Sequence, residues 1–379
     1  MHTMPPEDRL GPIVEFIERK TLKNVCSIGS KFPFLSAGGA YQASSPSAWT
    51  AGFWPGLLWL IHQQTGDPLC RETAEACELQ QDEVLQQFVE LDHDMGFIWT
   101  LTSLASYKLT GNSESRRRAL AAASHLAGRF NLKAGIIRAQ NDRTDIPGGN
   151  IGITIMDCLM NLPLLYWASA ATDDPRFRHI AEAHTDSALE RLVRPDGSTA
   201  HVARFDPWSG QFLEVRGGQG YGADSAWSRG AAWAIYGLAL GYSYTGRPDY
   251  LEGARRVADF FLAQLPASRI PGWDFRLPDP AGQPWDSSAA AIAAGGLIEL
   301  AVHVPGAEGL AYQQAAADIL QALYEICGTQ RDDGEQGLLL HATGNYPAGK
   351  QVDVPLIYGD YFFAEAVLRL AGRPFLRFW

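Results

Sequence analysis

One kind of turn recurs along this 379-residue chain, and it constrains the fold more than any other feature. Thr65-Gly66-Asp67-Pro68, Thr110-Gly111-Asn112-Ser113, Thr172-Asp173-Asp174-Pro175 and Thr245-Gly246-Arg247-Pro248 share a pattern. Val304-Pro305-Gly306-Ala307 and Ala371-Gly372-Arg373-Pro374 are looser copies. Glycine ends a helix because it enters the left-handed region without a Cβ clash, and Pro or Ser suits the first position of the next helix. Each turn is a stop followed by a start, and six of them mark an internal repeat.

Between the turns the apolar spacing predicts helices at about 7–24, 53–65, 69–90, 95–110, 114–130, 154–171, 175–193, 225–245, 249–265, 287–303, 309–328 and 359–371. These pair into six hairpins. The segments SSAAAIAAGGLIELAVH from Ser287 and TIMDCLMNLPLLYWAS from Thr154 are apolar nearly all round and belong inside; SESRRRALAAASHLAGRF from Ser113 is amphipathic and belongs outside. Alternating inner and outer helices give an all-α closed toroid. Long Gly-, Pro- and Asp-rich loops at 131–153, 194–223, 266–286 and 329–357 then gather on one rim, where function usually sits. Short hairpins can occur within those loops, but no strand pattern is long enough for a parallel sheet.

Apolar residues make up 46% of the chain and charged residues 19%, enough for a large core and too apolar for disorder. The net charge of -11 argues against a nucleic-acid partner and against a polyanionic polymer, so an acidic ligand is expected to be small. Cys26, Cys70, Cys77, Cys158 and Cys327 are odd in number and widely spaced, which reads as reduced, buried thiols. The first residues, MHTMPPEDRLGPIVEF, lack the pattern of a secretory signal, and no apolar run suits a bilayer. A cytoplasmic protein with no membrane partner is the expectation.

The stretch QGYGADSAWSRGAAW, Gln219 to Trp233, gathers one Gln, one Asp, one Arg and two Trp around glycines and serines. Indole faces cover sugar rings, a guanidinium holds a carboxylate bidentately, and glycines let backbone approach a ligand. For Trp227 or Trp233 alone a core role is the default. The cluster as a whole points to ligand binding, because Arg229 and Trp233 lie four apart and share a helix face.

Two carboxylates stand out. Asp157 sits in ITIMDCLMNLPLL, where apolar neighbours make a lone charge costly; burial is expected to raise its pKa, which suits a general acid. The alternative is a core Asp satisfied by backbone donors or capping a helix. Asp94, in LDHDMGFIW, precedes a helix and has an N-cap role as its alternative. Asp92 and His93 beside it lack a second cluster with metal spacing, so no metal and no cofactor are expected. No GxSxG elbow, P-loop or dinucleotide fingerprint is present.

The segments LDHDMGF at 91–97, IMDCLMNLPLLYWA at 155–168, RPDGSTAHVARFDPWSG at 194–210, QGYGADSAWSRGAAWAIYG at 219–237, WDSSAAAIAAGGLIEL and YGDYFFAEAVLRL resemble the unsaturated glucuronyl hydrolases of glycoside hydrolase family 88. The likeness runs in order from WTAGFWPGLLWL at 49–60 to near the end. It implies a single α6/α6 barrel over 1–379 and action on oligosaccharides whose non-reducing end is a 4,5-unsaturated uronic acid. The family hydrates the C4=C5 enol ether instead of displacing a group at C1. By resemblance Asp157 is the general acid/base and Asp94 the second essential carboxylate. The substrate contacts are then Trp49, His201, Gln219, Arg229 and Trp233, with Arg229 clamping the uronate and Trp49 and Trp233 flanking the ring. Without the motif His201 reads as a solvated loop residue, and His184 as an outer-helix residue.

Family members acting on sulfated disaccharides carry a serine-rich, Lys-terminated loop near the C-terminus. Here HATGNYPAGK, 341–350, keeps Lys350 and has no serine, so a preference for sulfated units is not expected. Small unsaturated uronic-acid oligosaccharides are the expected partners, for a monomer or weak homo-oligomer. Rival readings are an unsaturated rhamnogalacturonyl hydrolase, an inverting glycosidase acting on a saturated bond, and a non-catalytic carbohydrate-binding toroid.

Overall fold

The computed structural model describes residues 6–88, 90–141 and 149–379, with side chains from Leu10 onward. Part of the first expected rim loop, 142–148, lies outside the described residues. The recurring turns behave as their chemistry dictates. Gly66, Gly111 and Gly246 end helices in the left-handed region, at φ 73°, 72° and 70°, and Asp173 takes the same conformation at φ 55°. Just after, the side chains of Asp67, Asn112 and Asp174 accept from backbone N–H groups of the next helix's first turn. At Gly66–Asp67 and Gly111–Asn112 both ends of the connection are thus satisfied locally, while the helix after Arg247 starts on Pro248 without a side-chain cap.

Six helices form an inner ring: α2 (Phe53–Thr65), α4 with α5 (Met95–Trp99 and Ala105–Thr110, joined by a π turn at Thr100–Leu104), α7 (Pro163–Thr172), α9 (Ser228–Thr245), α11 (Ser287–His303) and α13 (Ile357–Leu370). Six more surround them: α1 (Pro6–Ile28), α3 (Pro68–Gln87), α6 (Ser113–Gly128), α8 (Pro175–Leu192), α10 (Pro248–Gln264) and α12 (Gly306–Ala322). The inner helices are buried on every side over most of their length, as Ser228–Gly241 and Ser287–Leu300 show. Outer helix α10 buries Tyr250, Gly253, Ala254, Val257, Ala258 and Phe261, one stripe at three- and four-residue spacing. Helix α11 packs on α9 and α13, α13 packs on α2, and α1 packs outside α13, so the ring closes where the first helix meets the last. The fold is the α/α barrel that the helix count implied.

The expected helix at 154–171 is the main departure. Ile153–Ile155 is strand β5, Met156–Met160 is a 3-10 turn, and α7 begins only at Pro163. Proline has no N–H for a continuous helix through this point, and β5 is drawn into an antiparallel sheet with β6 (Val202–Phe205) and β7 (Phe212–Arg216). Two further hairpins, β1–β2 (Phe32–Ala37 and Ala40–Ser44) and β3–β4 (Phe130–Asn131 and Ile136–Ile137), complete the short sheets among the described residues.

At the opposite end of the barrel the C-terminal segment crosses the base. Lys108 Nζ donates to the carbonyls of Arg377 and Phe378 at 3.1 and 2.7 Å, and Arg377 pairs with Glu299. Trp379 is buried and stacks on Phe362, with ring planes 8° apart.

Candidate active site

Asp94 stands at the N-cap position of α4, yet its side chain accepts no N–H of that helix. Asp92 Oδ1 instead accepts from the Asp94 N–H at 2.9 Å. The Asp94 carboxylate turns to other partners: Oδ1 accepts from Asn161 Nδ2 at 3.3 Å, and His93 Nε2 lies 3.4 Å from the same oxygen. Asn161 is itself fixed, because its Oδ1 accepts from the Phe97 N–H at 2.7 Å. Gly96 makes this fit possible; a Cβ there would stand 2.4 Å from Asn161 Cα and Cβ.

Asp157 lies in the 3-10 turn after β5. Its Oδ2 is 3.4 Å from His201 Nε2, and His201 immediately precedes β6, the strand paired with β5. The Gln219 N–H donates to His201 Nδ1 at 2.8 Å, which makes Nδ1 the acceptor and leaves the ring proton on Nε2, facing Asp157. Trp227 packs against the His201 ring at 4.3 Å.

The two carboxylates diverge electrostatically. Burial, reinforced by the charge of Asp157, pushes Asp94 up to about 7. Burial also acts upward on Asp157, but His201, His93 and Arg229 outweigh it and hold Asp157 below the ordinary carboxylate value. The expectation that burial would raise Asp157 is therefore corrected: the turn that buries it also brings donors and a cation to it. The two shifts bias the shared proton of the pair toward Asp94.

Arg229, in the first turn of α9, is 2% exposed. Its Nη1 donates to Asp286 Oδ2 and the Thr343 carbonyl, both at 2.6 Å, and its Nη2 to Gln219 Oε1 at 2.7 Å and the Gly344 carbonyl at 2.5 Å. The guanidinium sits 4.6 Å from the Trp227 ring and 5.4 Å from that of Tyr358. The open fork expected to clamp a uronate is thus occupied: both Nη groups already serve protein acceptors. Arg229 joins the rim loops carrying Gln219, Asp286 and Thr343 into one wall, and its positive charge still acts on Asp157.

The remaining expected contacts divide. Trp49 is half-buried ahead of α2 and meets Tyr358 at 4.8 Å. Trp233 is 0% exposed and wedged between Phe97 and Phe362 at 5.2 Å each, so it is core behind the site and not an open sugar platform. Lys350 is exposed on a rim hairpin, where it and Asn345 exchange both backbone hydrogen bonds at 2.9 Å. Asp157, His201, Gln219 and Arg229 form one chain of contacts, to which Asp94 is coupled electrostatically through Asp157; Trp49 flanks it through Tyr358, while Trp233 and Lys350 stand apart. Asn161 and Asp286 were missed by the sequence reading. Their signals were present: a buried amide in an apolar run requires a partner, and Asp286 caps α11 through Ser288 and Ala289. Among the described residues no group of His, Cys, Asp or Glu is placed to hold a metal ion.

No protein-family model matches the chain. It is 40% identical over 357 residues to an unsaturated glucuronyl hydrolase of Bacillus sp. (strain GL1), covering 92% of this chain and 93% of that one. Its fold superposes with a TM-score of 0.90 and 37% identity on an unsaturated glucuronyl hydrolase variant with dGlcA-Glc-Rha-Glc, over 94% of this chain and 95% of that one. A variant from Streptococcus agalactiae complexed with dGlcA-GalNAc6S matches with a TM-score of 0.86 and 28% identity, over 98% and 94%.

Proposed function

The chain belongs to the unsaturated glucuronyl hydrolases, and from that premise we propose that Asp94 and Asp157 are the pair through which it hydrates its substrate. The protein is a hydrolase that releases the 4,5-unsaturated glucuronic acid from the non-reducing end of oligosaccharides. Protonation at C4 develops oxocarbenium character at C5, and water adds there. The hemiketal then opens, with O5 taking a proton at C1, and collapse of the C1 hemiacetal releases the second sugar. Such a reaction needs one carboxyl group to deliver a proton and a neighbouring anion to stabilise positive charge. The observation that carries the assignment is the placing of two buried, electrostatically coupled carboxylates, each facing an imidazole Nε2 at 3.4 Å, in surroundings that push their proton affinities apart. Arrival of the anionic uronate raises the proton affinity of Asp157 and lets it act as the acid. The coupled pair titrates as a unit. Residues 1–379 act as one catalytic domain in this reading, with His201, Gln219 and Trp49 lining the sugar and Arg229 fixing their wall.

Turnover in heavy water is expected to place deuterium at the former C4, and labelled water is expected to deliver its oxygen to C5. Label at C1 would mean ordinary glycosidic hydrolysis and would end this reading.

Selectivity follows from the rim. The 341–350 hairpin has no serine and presents one exposed ammonium, Lys350, worth only about 0–1 kcal/mol toward a sulfate. An unsulfated unsaturated disaccharide is therefore expected to be turned over at least as efficiently as its 6-sulfated analogue, and Lys350→Ala to leave the unsulfated rate unchanged. Comparing kcat/KM for both substrates checks this, and a strong preference for the sulfated one refutes it. No described helix is long and apolar enough to cross a membrane. All five cysteines are free thiols, Cys70, Cys77, Cys158 and Cys327 buried and Cys26, against expectation, exposed, and their lack of disulfides supports a reducing, cytoplasmic setting.

A further inference from the structure

His93 is completely buried, yet neither ring nitrogen has a hydrogen-bond partner within the described structure. A second buried histidine is satisfied at one nitrogen only. His184, on outer helix α8, is 0% exposed, and its Nδ1 accepts from the Ile137 N–H at 3.0 Å. That bond fixes its tautomer: the ring proton must sit on Nε2, and Nε2 also lacks a partner. Three buried ring nitrogens without partners are costly unless they are satisfied by one another or by a neighbour. The two rings lie within electrostatic reach of each other, and His93 Nε2 is 3.4 Å from Asp94 Oδ1.

We propose that His184 and His93 form a buried relay that orders the proton on Asp94: His184 Nε2–H is directed to His93 Nδ1, and His93 Nε2–H to Asp94 Oδ1. The first link is made directly or through one bridging water. Asp94 Oδ1 then receives donors from both His93 and Asn161, so the carboxyl proton is confined to Oδ2. The inference rests on the reading that Asp94 belongs to the reacting pair. It makes His93 a positioning residue and His184 the residue that sets its tautomer. The same device stands opposite, where the Gln219 N–H fixes His201 so that its Nε2 faces Asp157.

The groups that act on His93 are Asp92, Asp94, Asp157, Arg129, His201 and His184. Burial opposes imidazolium formation at both rings, lowering His93 and taking His184 down to about 3. Both therefore act as neutral, directional groups.

Nitrogen NMR of the full-length protein with ring-labelled histidine tests the relay without recourse to activity. Both His93 and His184 are expected as neutral Nε2–H tautomers at pH 7; a proton on His93 Nδ1, or an imidazolium, overturns the proposal. Kinetics supply the second arm. His93→Phe removes a donor to ionised Asp94, so the Asp94 ionisation in the pH–rate profile should move upward, with kcat falling about tenfold or more and KM little changed. His93→Gln keeps an N–H at a similar reach and should recover much of the loss. His184→Phe should move the profile in the same direction by less. An unmoved profile in both Phe variants reduces the two histidines to packing and overturns the relay. Normal turnover in Asp94→Asn would instead sink the assignment of the reacting pair, and the tautomer measurement tells these failures apart.

Discussion

Burial acts on Asp94 and Asp157 alike, and their neighbours decide which one keeps a proton. Asp94 faces a neutral imidazole, an amide and another carboxylate; Asp157 faces His201 and feels the charge of Arg229. Asp157→Asn preserves shape and removes the transferable proton, so turnover is expected to drop by at least about 10²–10⁴ with substrate binding retained. A folded variant with near wild-type turnover would remove Asp157 from the chemistry. Asp94 has a second consequence. Its folded pKa of about 7 lies above the unfolded carboxylate value near 4, so its contribution to stability is complete below about pH 4 and is lost as pH rises through 7. Asp360 and Glu365, both raised to about 7 by burial, act in the same sense. Burial lowers His184 to about 3 and Lys108 to about 7, and both act in the opposite sense. Asp94 is therefore isolated by the melting temperature of wild type minus that of Asp94→Asn, a difference that should shrink as pH rises from about 4 to 7. The burial of Asp157 was legible in its apolar flanks. The sign of its shift was not, because His201 arrives from a distant segment through the pairing of β5 with β6.

At the scale of elements, the helices were readable because their ends are written in local chemistry, glycine or Asp173 at the close and a polar cap or proline at the start. The stretch 154–171 misled because its apolar composition suits a buried helix and a buried strand equally; Pro163 and the partner strand decided the matter. The first turn of α9 shows the same limit. Arg229 and its cluster marked a site, but the acceptors that fill its fork come from loops whose approach no local pattern records. Arg229→Ala would leave the Asp286 carboxylate, 0% exposed, without its cation, a loss of about 3–5 kcal/mol for a broken buried pair. Lys at this position keeps the charge but cannot serve four acceptors, so an intermediate loss is expected. Denaturant unfolding checks both variants, and an unaltered midpoint for Arg229→Ala would show that the wall stands without it.

For the whole molecule, the pairing of α1 with α13 sets the order in which the protein can be made. A ribosome adds roughly 5–20 residues per second, so α1 and α2 wait tens of seconds for the helix that seals the ring between α2 and α11. Until Ile357–Leu370 leaves the exit tunnel, the apolar flanks of α2 and α11 have no partner and remain open to chaperones and to mispairing. Nascent chains arrested before Ile357 should be cleaved readily by protease, and chains arrested well beyond Trp379 should resist; equal resistance at both lengths would show that a partial ring is stable by itself. Synthesis must therefore outlast every hairpin before the barrel can gain its cooperativity.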